Sequence, residues 1–148
     1  NNFPCSILRL YLVYGPRQDF NRLIPIVIKN CIQKKTFQCS NGLQLRDFLY
    51  VDDFVKSVFK CIKSKNSKGH IFNIGYGKPI KVLDVIKKIN KNIGFGNPEF
   101  GKIALRADEI KTLYPNITKS VKILKWKPSV KFLTGIKKTI KYYKNSLN

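Results

Sequence analysis

Short apolar runs that stop on glycine alternate along this chain with amphipathic stretches of helical period, and that alternation restricts the fold more than any other property. The run SILRLYLV, Ser6 to Val13, stops at Tyr14-Gly15-Pro16, and HIFNIG, His70 to Gly75, closes on Gly-Tyr-Gly. An uninterrupted apolar run bounded by turn residues reads as a buried strand. Between and after them lie helical patterns. RLIPIVIKNCIQKK places Leu23, Ile24, Val27, Ile28, Cys31 and Ile32 on one stripe, with Asn21 positioned to cap it and Pro25 in the first turn, where a missing N–H does little harm. Val51, Phe54, Val55, Val58, Phe59 and Ile62 recur at three- and four-residue steps, and VLDVIKKINKNIG is stopped by Gly94. SVKILKW and FLTGIKKTIKYYKN supply two more helices. TFQCSNGLQLRDFLYV reads as a hairpin about Asn41-Gly42, and KIALR as a short strand after a loop holding Gly96, Pro98 and Gly101. Strands alternating with helices specify an α/β fold, with the hairpin as an antiparallel insertion.

The bulk properties agree. At 148 residues, with 43% hydrophobic and 12% aromatic residues, the chain has the material for a folded core that a disordered chain of this charge would lack. No apolar run approaches the roughly 20 residues that span a bilayer, and the first residues lack the basic flank and apolar stretch of a signal peptide. A cytoplasmic protein with no membrane segment is the expectation. Cys5, Cys31, Cys39 and Cys61 show no C-x-x-C spacing and His70 is the only histidine, so buried reduced thiols are expected in place of a zinc site or disulfide framework. The chain contains no Met, which is expected of a piece of something longer.

A formal charge of +21 raises a competing reading, a non-catalytic module that binds nucleic acid or another anionic surface. All but five of the 29 cations are lysines, dispersed along the chain with abundant Asn and Ile, which is the pattern of a solvated surface. Nucleic acid is therefore the less favoured partner.

Charge is informative where it is scarce. Of eight acidic residues, Asp47, Asp52 and Asp53 crowd into LQLRDFLYVDD. Asp52 and Asp53 stand at a helix start, where unpaired N–H groups and the dipole favour carboxylates. The arginines are Arg9, Arg17, Arg22, Arg46 and Arg106. Where Lys is the usual cation, each marks a place that needs a planar, bidentate donor. Arg46 precedes the helix-starting pair, and Arg106 is followed by Asp108 and Glu109. Two such forks converging on one pocket suit a diphosphate. Spacing alone leaves a second reading equally open, in which Arg46 pairs with Asp47 or Asp53 and Arg106 with Glu109 as plain salt bridges.

The segments LRLYLVYGPRQ, RDFLYVDD, FNIGYG, RADE and LKWKP…GIKKTI stand in order and approximate spacing. Together they resemble the carboxyl-terminal half of extended short-chain dehydrogenase/reductases of the nucleotide-sugar epimerase/dehydratase group. The wording is most similar to the branch of 4-epimerases, 4,6-dehydratases and 4-ketoreductases. The resemblance implies late Rossmann-fold strands plus a small α/β substrate-binding subdomain, with residues 1–148 as one nucleotide-sugar-binding part. It implies NAD or NADP, bound mainly by an amino-terminal half that carries a glycine fingerprint and a Y-x-x-x-K pair; neither motif is in this sequence. The implied partners are a nucleotide-diphosphate sugar, that missing half and, at full length, a second copy in a homodimer.

By the same resemblance, Arg46 and Arg106 clamp the diphosphate, and Asn21, Arg22 and Leu23 match the helix start that approaches the same phosphates. Phe37 and Gln38 match residues lining the base pocket, Phe48 one packing against the nucleotide, and Glu109 one meeting ribose hydroxyls. Phe37 and Phe48 are also compatible with a plain core role. Asp47 is expected to hold the Arg46 fork extended. The chain departs from the pattern at Tyr11-Leu12, where the family often has Phe-Asn, and at Asn116 and Lys125, where Asp and Gly are frequent.

Overall fold

The computed structural model describes residues 3–147. The elements run β1 (Ile7–Leu10), β2 (Leu12–Tyr14), α1 (Leu23–Ile32), β3 (Thr36–Gln38), β4 (Leu45–Arg46), β5 (Phe48–Tyr50) and α2 (Val51–Lys63). There follow β6 (Ile71–Ile74), β7 (Ile80–Lys81), α3 (Val82–Ile93), β8 (Asn97–Glu99), β9 (Thr112–Leu113), α4 (Thr118–Leu124) and α5 (Phe132–Leu147). The opening apolar run breaks at Tyr11 instead of forming one strand. β1 pairs in parallel with β6, Leu8 opposite Phe72, while β2 pairs in parallel with β5, Val13 opposite Leu49. Parallel pairs require crossover connections, and here α2 links β5 to β6.

The helical stripes build two cores. Ile24, Val27, Ile28 and Cys31 of α1 meet Val82, Val85, Ile86 and Ile89 of α3 and Ile136, Ile140 and Tyr143 of α5. The three stripes thereby face one another in a three-helix cluster. Leu49, Phe72 and Ile74 from the strands pack with Cys61, Leu124 and Trp126 in the second core. Gly94 ends α3 in the left-handed conformation, as a C-terminal glycine should.

Several local expectations give way to tertiary contacts. The segment around Asn41-Gly42 is not a hairpin: β3 pairs in parallel with β8, and β4 pairs with β7 and β9. Asn41 Oδ1 accepts the Leu43 N–H at 3.2 Å, and Gly42, at φ 65°, lets its carbonyl take the Leu83 N–H at 2.9 Å. A Cβ on Gly42 would lie 2.7 Å from Leu83 N, so this glycine admits the start of α3 rather than turning a hairpin. KIALR is no strand: residues 102–106 are exposed, and the Lys102 and Ile103 N–H groups converge on one carbonyl, that of Cys39, instead of forming a ladder. Asn21 does not cap α1. Arg22 holds the N-cap position without a side-chain bond, and Asp19 accepts the Asn21 N–H at 3.3 Å. On α2 the apolar stripe faces the cores only in part: Val51 and Phe54 pack against them and Asp53, Ser57 and Cys61 are buried, while Val55, Phe59 and Ile62 are exposed. Cys31, Cys39 and Cys61 are buried free thiols as expected, whereas Cys5 is exposed.

Candidate functional site

β2 and β5 run parallel and end side by side at Tyr14 and Tyr50, and crevices of open α/β sheets bind ligands outside such carboxyl ends. β2 ends at Tyr14, which is buried with its hydroxyl donating to Phe132 O at 3.0 Å. Burial pushes the Tyr14 phenol far above its ordinary value, so it stays protonated and serves packing. Beside this strand lies a cavity of ≈ 270 Å³ lined in part by Tyr11, Tyr14, Arg22, Leu23 and Phe48. Phe48 is 5% exposed and meets Tyr14 edge-on with ring centroids 6.4 Å apart, so it forms a wall fixed by core packing. Asn21 is exposed and does not line this cavity.

A second cavity, of ≈ 360 Å³, opens between residues 41–44 and 105–111, with Leu43, Gln44, Leu105, Arg106, Glu109 and Lys111 in its walls. Arg46, on β4, reaches across to this loop. Its Nη1 donates to Leu45 O at 2.8 Å, and its Nη2 is ion-paired with Glu109 Oε1, 63 residues away in the chain. The Glu109 N–H in turn donates to Arg106 O at 3.1 Å, which closes the turn bearing Arg106. The two arginines thus meet Glu109 differently, Arg46 by its guanidinium on the carboxylate and Arg106 only by its backbone carbonyl. The Arg46 side chain is only 12% exposed and engaged, whereas Arg106 is exposed at the cavity.

The arrangement assigns Arg46 a role that spacing alone did not favour. It ties down the turn that presents Arg106, by an ion pair with Glu109 and not with Asp47 or Asp53. Asp47 does not orient Arg46. It is 1% exposed, with Oδ1 accepting the Tyr76 N–H and Oδ2 the Gly77 N–H, each at 2.6 Å. Burial raises its carboxyl above the ordinary range, against the opposing pull of these backbone donors. Its effect is to hold the Gly75-Tyr76-Gly77 turn after β6. Phe37 is half-buried against the larger core and Gln38 is exposed, paired in register with Glu99; neither lines either cavity.

Sequence reasoning missed Gln44. Its side-chain oxygen is shielded from solvent and has no hydrogen-bond partner, the single such atom among the described residues. An unpaired shielded acceptor costs about 1–3 kcal/mol. The signal available was its two-residue step from Arg46, which puts both on one face of an extended segment. Ser129 was missed as well. Its N–H and hydroxyl, with the Val130 N–H, close on the buried carboxylate of Asp53.

Residues 1–75 match the model of the NAD dependent epimerase/dehydratase family, half of the chain. The chain belongs to that family. Among relatives within it, CDP-abequose synthase of Salmonella muenchen is 33% identical over 135 residues, covering 90% of this chain and 46% of that protein. Human dTDP-D-glucose 4,6-dehydratase is 32% identical over 154 residues, covering 99% of this chain and 43% of that protein. The crystal structure of UDP-glucuronic acid 4-epimerase from Bacillus cereus, in complex with UDP-glucuronic acid and NAD, superposes with a TM-score of 0.87 at 30% identity, covering 97% of this chain and 46% of that one. The chain spans about half the length of the curated relatives it matches. The expected architecture, late Rossmann-type strands with a small α/β subdomain, is the one this family member has.

Proposed function

We propose that this chain is the sugar-nucleotide-binding part, residues 1–148, of an NAD(P)-dependent nucleotide-sugar epimerase, 4,6-dehydratase or 4-ketoreductase, acting in the cytoplasm in synthesis of surface-polysaccharide sugars. The observation that carries this reading is the exposed Arg106 in the wall of a cavity that also bears Glu109, the ion-pair partner of Arg46 behind it. Arg106 offers the diphosphate an open planar fork, backed by Lys111 in the same wall. Arg46 joins it once the incoming anion competes for the guanidinium that Glu109 now holds. Arg22 and Leu23, with Phe48, line the neighbouring cavity that suits the sugar end. Binding energy gathered at the phosphates, remote from the reacting carbon, is what positions a sugar ring for chemistry.

The turn after β6 is rich in glycine but is no cradle for a pyrophosphate. A Cβ on Gly75 would collide with Pro115 and lie 2.6 Å from Asp47 Oδ1, so protein atoms already fill that space. NAD or NADP is therefore held mainly by an amino-terminal half outside these residues, which also carries the proton-transfer pair. The chain alone is expected to turn over no substrate, and the complete enzyme to be a homodimer.

Isothermal titration of the chain with UDP tests the anion site. Arg106→Ala is expected to weaken binding at least tenfold, about 1.4 kcal/mol for a charge-assisted contact, while Lys63→Ala on the distant end of α2 leaves it unchanged. Equal losses in the two variants, together with a steep salt dependence, would point to diffuse electrostatics of the lysine-rich surface instead.

A further inference from the structure

Asn41-Gly42 is the one Asn-Gly pair in the chain, and the fold holds it in a state in which its own chemistry can run. Asn41 is exposed in the wall of the second cavity, and its Oδ1 accepts the Leu43 N–H at 3.2 Å. A bond from a side chain to the N–H two residues on lays the carboxamide along the peptide between Asn41 and Gly42. The Gly42 N–H has no acceptor among the described residues, and glycine puts no Cβ in the way of ring closure. Leu83 covers the Cα side of Gly42, whose carbonyl takes the Leu83 N–H at 2.9 Å, while Asn41 and Leu43 on either side are open to water.

We propose that Asn41 is a site of spontaneous deamidation that the native turn promotes, and that the new carboxylate lowers the anion affinity of the cavity. The Gly42 nitrogen gives its proton to solvent and bonds to Asn41 Cγ; negative charge then grows on Oδ1, where the Leu43 N–H already donates. The Cγ–Nδ2 bond breaks, Nδ2 leaves as ammonia, and a cyclic imide remains. Water opens the ring at either carbonyl, to aspartate or isoaspartate, so an amide and a water become a carboxylate and ammonium with no other reactant. The product joins Arg106 and Lys111 in the cavity wall and competes with an incoming anion for them. Isoaspartate also lengthens the backbone ahead of Gly42, and so loosens the bonds by which the Gly42 and Gln44 carbonyls hold the Leu83 and Val82 N–H groups. The affinity change rests on the nucleoside-diphosphate reading above; the modification does not.

Incubating the chain in mildly alkaline buffer, folded and in guanidinium, and mapping its peptides by mass and isoaspartate content tests this. Asn41 is expected to convert in the folded chain at least as fast as in the unfolded one, and faster as pH rises. In calorimetric titration, the converted chain is expected to bind UDP about three- to tenfold more weakly than the fresh chain. Asn41→Gln, whose longer side chain closes an imide ring far more slowly, is expected to keep through the incubation the affinity it starts with. Slower conversion in the folded chain overturns the role of the turn and the proposal with it. Conversion that leaves UDP affinity unaltered overturns the charge effect on the cavity. A fresh chain that binds no UDP overturns the nucleoside-diphosphate reading, and the peptide map then decides the modification alone. Should Asn41→Gln fail to fold, the parent chain before and after incubation carries the comparison.

Discussion

Replacing Asp53 by Asn asks whether a buried, ionised carboxylate fastens the segment before α5 to the start of α2. Oδ2 accepts the Ser129 N–H at 2.8 Å and the Val130 N–H at 2.7 Å; Oδ1 accepts the Ser129 hydroxyl at 2.8 Å and the Lys56 ammonium at 3.2 Å. Burial pushes the carboxyl up, but the donors from Val130, Ser129 and Lys56 outweigh it and hold the group below the ordinary carboxylate range. An Asn keeps one oxygen for the two backbone donors without the charge, a loss of about 1 kcal/mol on each, and turns an NH₂ toward Lys56. The Lys56 contact itself adds little, because that side chain is 57% exposed. The sum is about 2–3 kcal/mol for Asp53→Asn. For Asp53→Ala, which leaves both backbone donors unpaired, it is about 4–5 kcal/mol. At roughly 2–4 °C per kcal/mol for a chain of this size, the Asn variant melts about 4–12 °C lower.

Trp126 is the single tryptophan, and its indole N–H donates to Asp53 O at 3.0 Å, so its fluorescence reports on this junction during urea unfolding. The pH dependence has a definite sign. With the folded pKa below the unfolded one, the contribution of Asp53 is complete above the ordinary carboxylate pKa and is lost as pH falls through the folded value. Asp53→Asn lacks that acid limb. An Asn variant within about 0.5 kcal/mol of the parent, or one that keeps the parent's acid limb, refutes the reasoning.

The other buried carboxylate behaves oppositely. Asp47→Asn turns an amide NH₂ toward one of two backbone donors and is expected to cost about 1–3 kcal/mol, with faster hydrogen exchange at Tyr76 and Gly77. Because burial raises the Asp47 carboxyl, its proton-linked contribution is complete below the ordinary carboxylate pKa and fades as pH rises through the raised value. The parent's advantage over Asp47→Asn therefore narrows with rising pH, which a series of urea titrations measures. Gly75→Ala drives a methyl into Asp47 and Pro115 and is expected to lower stability by about 1–3 kcal/mol in thermal melts; a neutral result contradicts the close approach.

Local pattern alone determined the elements whose cause is local. The stripes of α1, α3 and α5 came from three- and four-residue periodicity, the end of α3 from Gly94, and the α/β class from apolar runs alternating with those helices. The family was legible too, because five segments in order are a statement about the chain and need no coordinates. Tertiary structure decided whatever depends on a partner far away. Asn41-Gly42 carries the chemistry of a hairpin turn, yet close packing of Leu83 put it to another use. The rotation of α2 buries Asp53, bonded to residues 76 and 77 positions further on, and leaves Val55, Phe59 and Ile62 of the apolar stripe exposed. Arg46 had several carboxylates within reach of a sequence argument, and only the folded loop selected Glu109. Periodicity and turn chemistry act over a few residues; the pairing of scarce charges is settled by which distant loop the fold carries to them.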